Sequence, residues 1–386
     1  MKPTFGDYPP EFNDIKHLFW PPGGLRSAVQ SQSRQHRAGA RRGRAHEESI
    51  IIYPPTIDWH FMKQRPQHIM QRFASNGHRV YYCNKTQSKN HDLEVVSPNL
   101  TIVHNNKTFI QEIIPKLKTE GKSILLWVSW SKLHPFLDQY QPDFVVYDHV
   151  DDFPVWEPYL QAMVERTNVI STTAGILKQQ IERAYPHKPS YLIPNGCNIS
   201  RFKQRDDHPA TPRPVEYRNH YGPIITYVGA WADWVDQVLV TKIATTFPEA
   251  LVSVIGVEFG ATVDRSIPNL KYLGYKFHEF LPLYLYHSDV CLIPFKLNRI
   301  TLATNPIKMY EFLAAGKPVV STDLPEVSNV PGVYVGKDHA SFLYLIDRLL
   351  SGSIRFPQES VEEWLAEQTW DRRYEDIVQM LTDTWR

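Results

Sequence analysis

The chain has 386 residues, 42% of them hydrophobic and 22% charged, with a formal net charge of +1. That length suggests two domains with enough apolar material for two cores. The balanced charge excludes an overall nucleic-acid footprint, and the lack of any run of about 18 apolar residues excludes a membrane-spanning helix. The three cysteines, Cys83, Cys197 and Cys291, lie far apart without CxxC spacing, which speaks against a disulfide framework or zinc site and fits a reducing compartment. No apolar segment opens the chain, so no secretory signal is expected and the expected location is cytoplasmic.

Residues 1–48 differ from the rest. Pro9-Pro10, Pro21-Pro22 and Gly23-Gly24 precede a segment carrying Arg26, Arg34, Arg37, Arg41, Arg42 and Arg44. Such a stretch cannot bury enough apolar area to offset its ordering entropy, so it reads as a flexible Arg-rich tail. A second reading makes it a basic arm on anionic lipid head groups, a peripheral contact with the inner face of the membrane.

From Ile50 onward, short apolar runs alternate with amphipathic stretches. Ile50–Tyr53 reads as a buried strand, Gln64–Ser75 as a helix stopped by Asn76-Gly77, and Val80–Cys83, Ser123–Val128, Phe144–Tyr147, Asn168–Ser171 and Tyr191–Pro194 as further strands. Polar, proline-bearing residues 203–222 follow as a linker. The pattern then restarts with Ile224–Gly229, Leu251–Gly256, Lys271–Gly274, Val290–Ile293, Pro318–Thr322 and Gly332–Val335. Helical stretches fit near 233–246, 277–287, 305–315 and 339–351, and 372–385 is amphipathic. Near-continuous apolar strands alternating with helices predict parallel sheets covered on both faces. The predicted α/β domains are 49–205 and 206–365, followed by a C-terminal helix in 366–386.

Open α/β sheets bind ligands at the carboxyl ends of their strands, which directs attention to polar residues just after the predicted strands. Asp148-His149-Val150-Asp151-Asp152 follows Phe144–Tyr147. Asp148, His149, Asp151 and Asp152 are candidate catalytic residues, because a general base near neutral pH needs a carboxylate or an imidazole. A helix cap plus solvated acids would explain the same run, and clustered carboxylates also suit Mg²⁺. In Asn305-Pro306-Ile307-Lys308-Met309-Tyr310-Glu311, Lys308 and Glu311 share a helix face near an N-terminus that favours a diphosphate, and the carboxylate one turn on can accept ribose hydroxyls. A surface ion pair would be the plain alternative. Gly229 lets backbone approach a phosphate. Trp59 and Arg65, near the end of the first strand, are candidates for the acceptor or phosphate side, with a packed tryptophan as the competing reading.

The run from Asn305 through Lys308, Tyr310 and Glu311 to Ala315-Gly316-Lys317-Pro318-Val319-Val320 resembles the donor-binding segment of GT-B glycosyltransferases of the family 4 kind. Arg65-Pro66-Gln67-His68, Tyr147-Asp148, Pro194-Asn195-Gly196 and Tyr227-Val228-Gly229 occur in the expected order. The likeness runs from about residue 50 to the end, and within the group it is similar to teichuronic acid biosynthesis glycosyltransferases.

The resemblance implies two Rossmann-like domains facing each other across a cleft. It implies a hexosyltransferase that moves a sugar from a nucleotide-sugar donor to a saccharide or lipid-linked acceptor in cell-envelope polysaccharide synthesis. Asn305, Lys308, Glu311 and Gly229 would hold the donor, UDP- or GDP-linked, with Glu311 on the ribose and Lys308 facing the diphosphate. The acceptor would sit on the first domain near Asp148–Asp152, and the last helix would cross back onto that domain. No metal and no cofactor is implied, the nucleotide sugar being a substrate. The family often carries two glutamates separated by seven residues, and the first of these positions is Ala303 here. Retention is the family default, whereas an aspartate base at Asp151 or Asp152 would suit inversion. A sugar-nucleotide epimerase or hydrolase, and a non-catalytic sugar-nucleotide-binding protein, are the alternatives. A nicotinamide dehydrogenase is disfavoured because no GxGxxG occurs.

Overall fold

A computed structural model describes residues 49–88, 92–203 and 212–385. The Arg-rich tail expected at 1–48 lies outside the described residues.

The first half is built on an eight-stranded sheet: β1 (Ile50–Tyr53), β2 (Val80–Cys83), β3 (Leu93–Ser97), β4 (Leu100–Val103), β5 (Ile124–Val128), β6 (Phe144–His149), β7 (Val169–Thr172) and β8 (Ser190–Leu192). The order is β3-β4-β2-β1-β5-β6-β7-β8, parallel throughout except for β3. Continuous apolar strands arise because both faces are covered. In β1, Ile51 and Tyr53 join one core, while Ile50 and Ile52 join the core on the opposite face. The β3–β4 hairpin at the edge is absent from the sequence reading, because β3 is largely exposed and offers no apolar run.

The second half contains β9 (Ile224–Val228), β10 (Trp231–Ala232), β11 (Leu251–Ile255), β12 (Glu258–Phe259), β13 (Leu270–Gly274), β14 (Val290–Ile293), β15 (Val319–Thr322) and β16 (Val333–Gly336). Six of these form an all-parallel sheet in the order β13-β11-β9-β14-β15-β16, and β10 pairs with β12 in a short ribbon. One buried cluster fills this half, from Cys197 to Leu365.

Four helices position the polar residues of interest: α1 (Arg65–Ser75), α2 (Gly175–Ala184), α3 (Ile307–Ala314) and α4 (Trp370–Thr384). α4 begins where the Thr369 side chain accepts a hydrogen bond from the Arg372 N–H, at 3.1 Å. It buries Trp370, Arg373, Ile377, Met380 and Leu381, a helical stripe. This last helix leaves the second half and packs in the first-half core with Ile69 and Phe73 of α1. Tyr374 meets Phe73 edge-on at 5.5 Å, and Trp385 stacks on Phe144 at 4.8 Å. Burying each large apolar side chain of that stripe stabilises the arrangement by about 1.5–3 kcal/mol. The chain is therefore tied back to its own beginning.

Candidate active site between the two sheets

The acidic run does not simply follow a strand. β6 continues through Asp148 and His149, which register with Ser171 and Thr172 of β7. Strand alternation sends them to opposite faces. Asp148 is fully buried and grips Arg65 of α1 in a two-pronged pair, Nε to Oδ2 and Nη2 to Oδ1, both 2.9 Å. The Trp127 indole donates to the same Oδ2 at 3.1 Å. Arg65 spends its remaining donors on the Pro194 carbonyl, Asn195 and Ser171. A carboxylate and a guanidinium so committed hold neighbouring segments together, and neither faces an open cleft. Asp148, a candidate base, and Arg65, a candidate for the phosphate or acceptor side, thus stand in one buried ion pair.

On the other face, His149 Nδ1 lies 3.1 Å from the Tyr147 hydroxyl, and burial pushes the imidazole down to about 4, so it is neutral near pH 7. Asp152 is buried and receives the Arg299 fork from the second half at 2.7 and 2.8 Å. Burial pushes its carboxyl up, but the Arg299 hydrogen bonds and charge, aided by Gln180 and His149, outweigh that and hold it below its ordinary value. Asp151 differs from both. The residue as a whole is half-buried, its carboxyl has no hydrogen-bond or ion-pair partner among the described residues, and burial alone pushes that carboxyl up to about 7. Of the four candidates it alone offers a free group that can take or give a proton near neutral pH.

Trp59, the other candidate for the acceptor or phosphate side, packs in the core. It is 9% exposed, packs edge-on against Tyr82 at 5.0 Å and belongs to the first-half core. Its backbone N–H donates to Asn84 Oδ1 at 2.9 Å.

In the second half, Gly229 ends β9 at φ +139°, a conformation that favours glycine. A Cβ there would overlap the Lys308 Nζ, and one on Gly256, at φ +149°, would overlap the Gly229 carbonyl oxygen. Lys308 lies in the first turn of α3, with its Nζ 4.5 Å from the Tyr227 ring centroid and 4.9 Å from that of Phe295. Burial lowers it to about 7, against the pull of Glu311. It forms no salt bridge among the described residues; its hydrogen bond goes to the Tyr227 hydroxyl at 3.4 Å. The Lys308–Glu311 surface pair, the plain alternative to a donor role, does not form among the described residues. Glu311, 6% exposed, accepts from His278 Nε2 at 2.5 Å instead.

His278 went unnoticed in the sequence because it opens a short 3-10 turn among aromatic residues after β13, with no motif around it. The ring of His68, on α1, lies 5.5 Å from that of His278 and stacks on Trp370 at 4.7 Å. His68, His278 and Glu311 place potential ligand atoms within 4.8 Å of one another, so the residue types that could hold a metal meet here and not in the acidic run. Lys63, Arg72 and Arg201 add positive potential around His68, which favours an anion over a dication.

Asn305 bridges the halves. Its Oδ1 accepts from the Asn195 N–H at 3.1 Å and its carbonyl from Asn195 Nδ2 at 2.7 Å. Its amide donates to Glu326 at 3.1 Å, and Glu326 in turn accepts from the Gly175 N–H at the start of α2, at 2.8 Å. Ala303 is buried against Ala174 and Leu177 of the first half, so this position is an apolar contact. The carboxyl ends of the two sheets thus meet through Asn195–Asn305, Asp152–Arg299 and His68–His278, with Asp151 and Lys308 beside these contacts.

The family described as glycosyl transferases group 1 matches residues 222–352. Those residues, about a third of the chain, resemble a group 1 glycosyltransferase domain. A Bacillus subtilis (strain 168) protein that carries the name teichuronic acid biosynthesis glycosyltransferase TuaH is 22% identical over 259 residues, 60% of this chain. The match spans 63% of that relative's length. Sucrose-phosphate synthase from Thermosynechococcus elongatus superposes with a TM-score of 0.66 at 14% identity, covering 86% of this chain and 98% of that one. The E. coli trehalose-6-phosphate structure bound with UDP-2-fluoro glucose gives 0.62 at 12% identity, with 86% and 98% covered. These similarities establish the fold as GT-B, two Rossmann-like domains.

Proposed function

We propose that the chain is a glycosyltransferase that moves a sugar from a nucleotide-sugar donor to a saccharide or lipid-linked acceptor in cell-envelope polysaccharide synthesis. The observation that carries this reading is Lys308, held by ring faces beside Gly229 with no salt-bridge partner among the described residues. A lysine kept unpaired in the first turn of a helix is suited to a diphosphate, which supplies the missing negative charge. Glu311, one turn on and oriented by His278, accepts the ribose hydroxyls. The similarity to TuaH supports an envelope polysaccharide as the product, and a neighbour solved with UDP-2-fluoro glucose supports a UDP-linked donor.

Asp151 is the acid–base group of the acceptor side. The acceptor oxygen attacks the anomeric carbon, the bond to the diphosphate oxygen breaks, and Asp151 takes the hydroxyl proton as the nucleoside diphosphate leaves. Asp148, Arg65 and Asp152 position the segment that carries it. No helix among the described residues is long and apolar enough to cross a membrane, so a membrane-borne acceptor would be met from the surface.

The test is a thermal-shift series with UDP, GDP, dTDP, ADP and CMP and their sugar conjugates. A ligand at about 100 times its dissociation constant adds roughly 2.7 kcal/mol of stability. A selective shift with one base is expected, and no shift with any of them on folded protein would remove the donor-binding reading. Product NMR then reads the stereochemistry. An inverted product fits Asp151 as base, whereas a retained one gives the proton to the departing diphosphate and leaves Asp151 as a positioning group.

A further inference from the structure

The donor reading gives His278 and Glu311 a role and leaves their neighbour His68 without one. His68 is 6% exposed, and its Nε2 has no hydrogen-bond partner among the described residues. A buried polar atom left unpaired is costly, so one that persists in a site points to an occupant. The ring lies flat on Trp370, 4.7 Å away with the planes 9° apart, which fixes its orientation. His278 meets it edge-on at 5.5 Å, and His278 Nε2 lies 2.5 Å from Glu311 Oε1. One potential ligand atom of each residue lies within 4.8 Å of the other two, and no other such trio of His, Cys, Asp or Glu occurs among the described residues. His68 is carried by α1 and Glu311 by α3, so two of the three stand on helices and not on loops.

The ligand chemistry identifies the occupant. Two imidazole nitrogens and one carboxylate, with a fourth position left open, are a zinc donor set. Around a tetrahedral zinc with bonds of about 2 Å, ligand atoms stand about 3.3 Å apart, so shifts of about 1.5 Å or less bring these three into place. The cations Lys63, Arg72 and Arg201 oppose any ion held by charge alone. That excludes Mg²⁺ and Ca²⁺, which also need more oxygen ligands than the trio offers. Zinc pays the same electrostatic penalty, but its bonds to imidazole nitrogen do not depend on the field alone. Burial, with those cations, holds His68 well below its ordinary pKa, so the ring is neutral and a nitrogen lone pair is available.

We propose that His68, His278 and Glu311 form a zinc site that clips the first half to the second and shuts the nucleotide out. His68 comes from the first half, and His278 and Glu311 from the second, so a bound ion spans the cleft. Glu311 cannot ligate zinc and accept ribose hydroxyls at once, which makes zinc an inhibitor in competition with the donor. The competition rests on the donor reading, whereas the metal site itself does not.

The test titrates zinc chloride into the full chain by calorimetry, with magnesium chloride as the hard-ion control. Cobalt(II) chloride serves as a spectroscopic stand-in, because a tetrahedral cobalt site gives strong visible bands. One zinc per chain and no magnesium are expected to bind the wild type. Losing a ligand should cost more than the roughly 10- to 100-fold typical of losing an outer-shell partner, so His68→Ala and His278→Ala should each weaken zinc by at least about a hundredfold and abolish the cobalt bands. His68 packs on Trp370, so circular dichroism checks its variant, and His278, half-buried in a turn, gives a second removal that does not disturb that stack. His60→Ala, in the exposed contact of His60 and His104 with Glu94, should leave the affinity unchanged. Equal zinc affinity in the wild type and in both folded variants, or no zinc binding at all, overturns the site. Saturating UDP should weaken zinc at least tenfold, and zinc and UDP bound together without mutual effect would overturn the competition. Zinc binding by a chain that shows no nucleotide shift would sink the donor reading and leave the metal site standing.

Discussion

The strand ends of the two halves treat charge in opposite ways. In the first half, three carboxylates within five residues meet three separate fates: Asp148 is locked to Arg65, Asp152 is bound by an arginine from the other half, and Asp151 is left alone. In the second half, Lys308 and Glu311 are one turn apart yet do not pair, the lysine resting on ring faces and the glutamate on His278. The first half spends its charges on holding the structure and keeps one in reserve. The second half keeps its charges from cancelling, at the cost of burying a lysine whose proton affinity is lowered to about 7. Proximity in sequence is therefore a poor guide to shared chemistry, because strand alternation and contacts across the cleft decide what each group faces.

The largest expected effect falls on the carboxylate in reserve. Asp151→Asn should lower turnover by about 100- to 10,000-fold, the range for losing a positioned acid–base group, while nucleotide affinity stays unchanged. In the wild type, turnover should rise as pH passes through about 7, where this carboxyl loses its proton, and the variant should lose that dependence. The effect on stability has the opposite sign. Burial raises the folded-state pKa, so the native chain binds the extra proton and stability falls as pH rises from the ordinary carboxylate range toward about 7. Denaturant titrations at pH 5 and pH 8 should show that slope in the wild type and less of it in Asp151→Asn.

Asp148→Ala separates a structural pair from a catalytic one. Removing one partner of a buried ion pair leaves an uncompensated guanidinium and should destabilise the chain by about 3–5 kcal/mol, read as a lower unfolding midpoint. An unchanged midpoint together with lost turnover would return Asp148 to the role of base and undo the contrast between its fate and that of Asp151.

The sheets were legible in the sequence because parallel strands buried on both faces are short apolar runs, and β1, β5, β9, β11 and β14 are of this kind. The β3–β4 hairpin was not, since its outer strand is exposed. The helix at Gln358–Ala366 was also passed over, because only Val361 and Leu365 are buried in it. At the candidate site the difficulty was of another sort. The strand ending at Tyr147 in the sequence reading actually carries Asp148 and His149, and polar residues inside a strand look like loop until their partners are known. Arg65 lies 83 residues from Asp148, and Arg299 lies 147 from Asp152, so no local pattern announces either pair. His278 and Glu311 meet only through the fold, and the free state of Asp151 is visible only once every other neighbour has been assigned.

On the donor side, Glu311→Ala should weaken nucleotide binding by about 1–3 kcal/mol, the scale of lost charge-assisted hydrogen bonds. His278→Ala should produce part of the same loss if its role is to orient that carboxylate, and calorimetry on the double variant should show less than the sum. Additive losses would mean that His278 touches the nucleotide independently.

The smallest effect is expected at Arg299→Ala. Its guanidinium is partly exposed, at 46%, so although it contacts both Asp152 and Glu157 its loss should cost about 1 kcal/mol or less in stability. Its consequence for the acidic run should be more telling than that cost. Without the arginine, burial remains the dominant influence on Asp152, whose carboxyl should move upward. Two adjacent carboxyls, both pushed up by burial, would then titrate as a coupled pair, and repulsion between them would broaden the pH–turnover profile. If the profile instead keeps the shape set by Asp151 alone, the ion pair across the cleft serves only to hold the halves together.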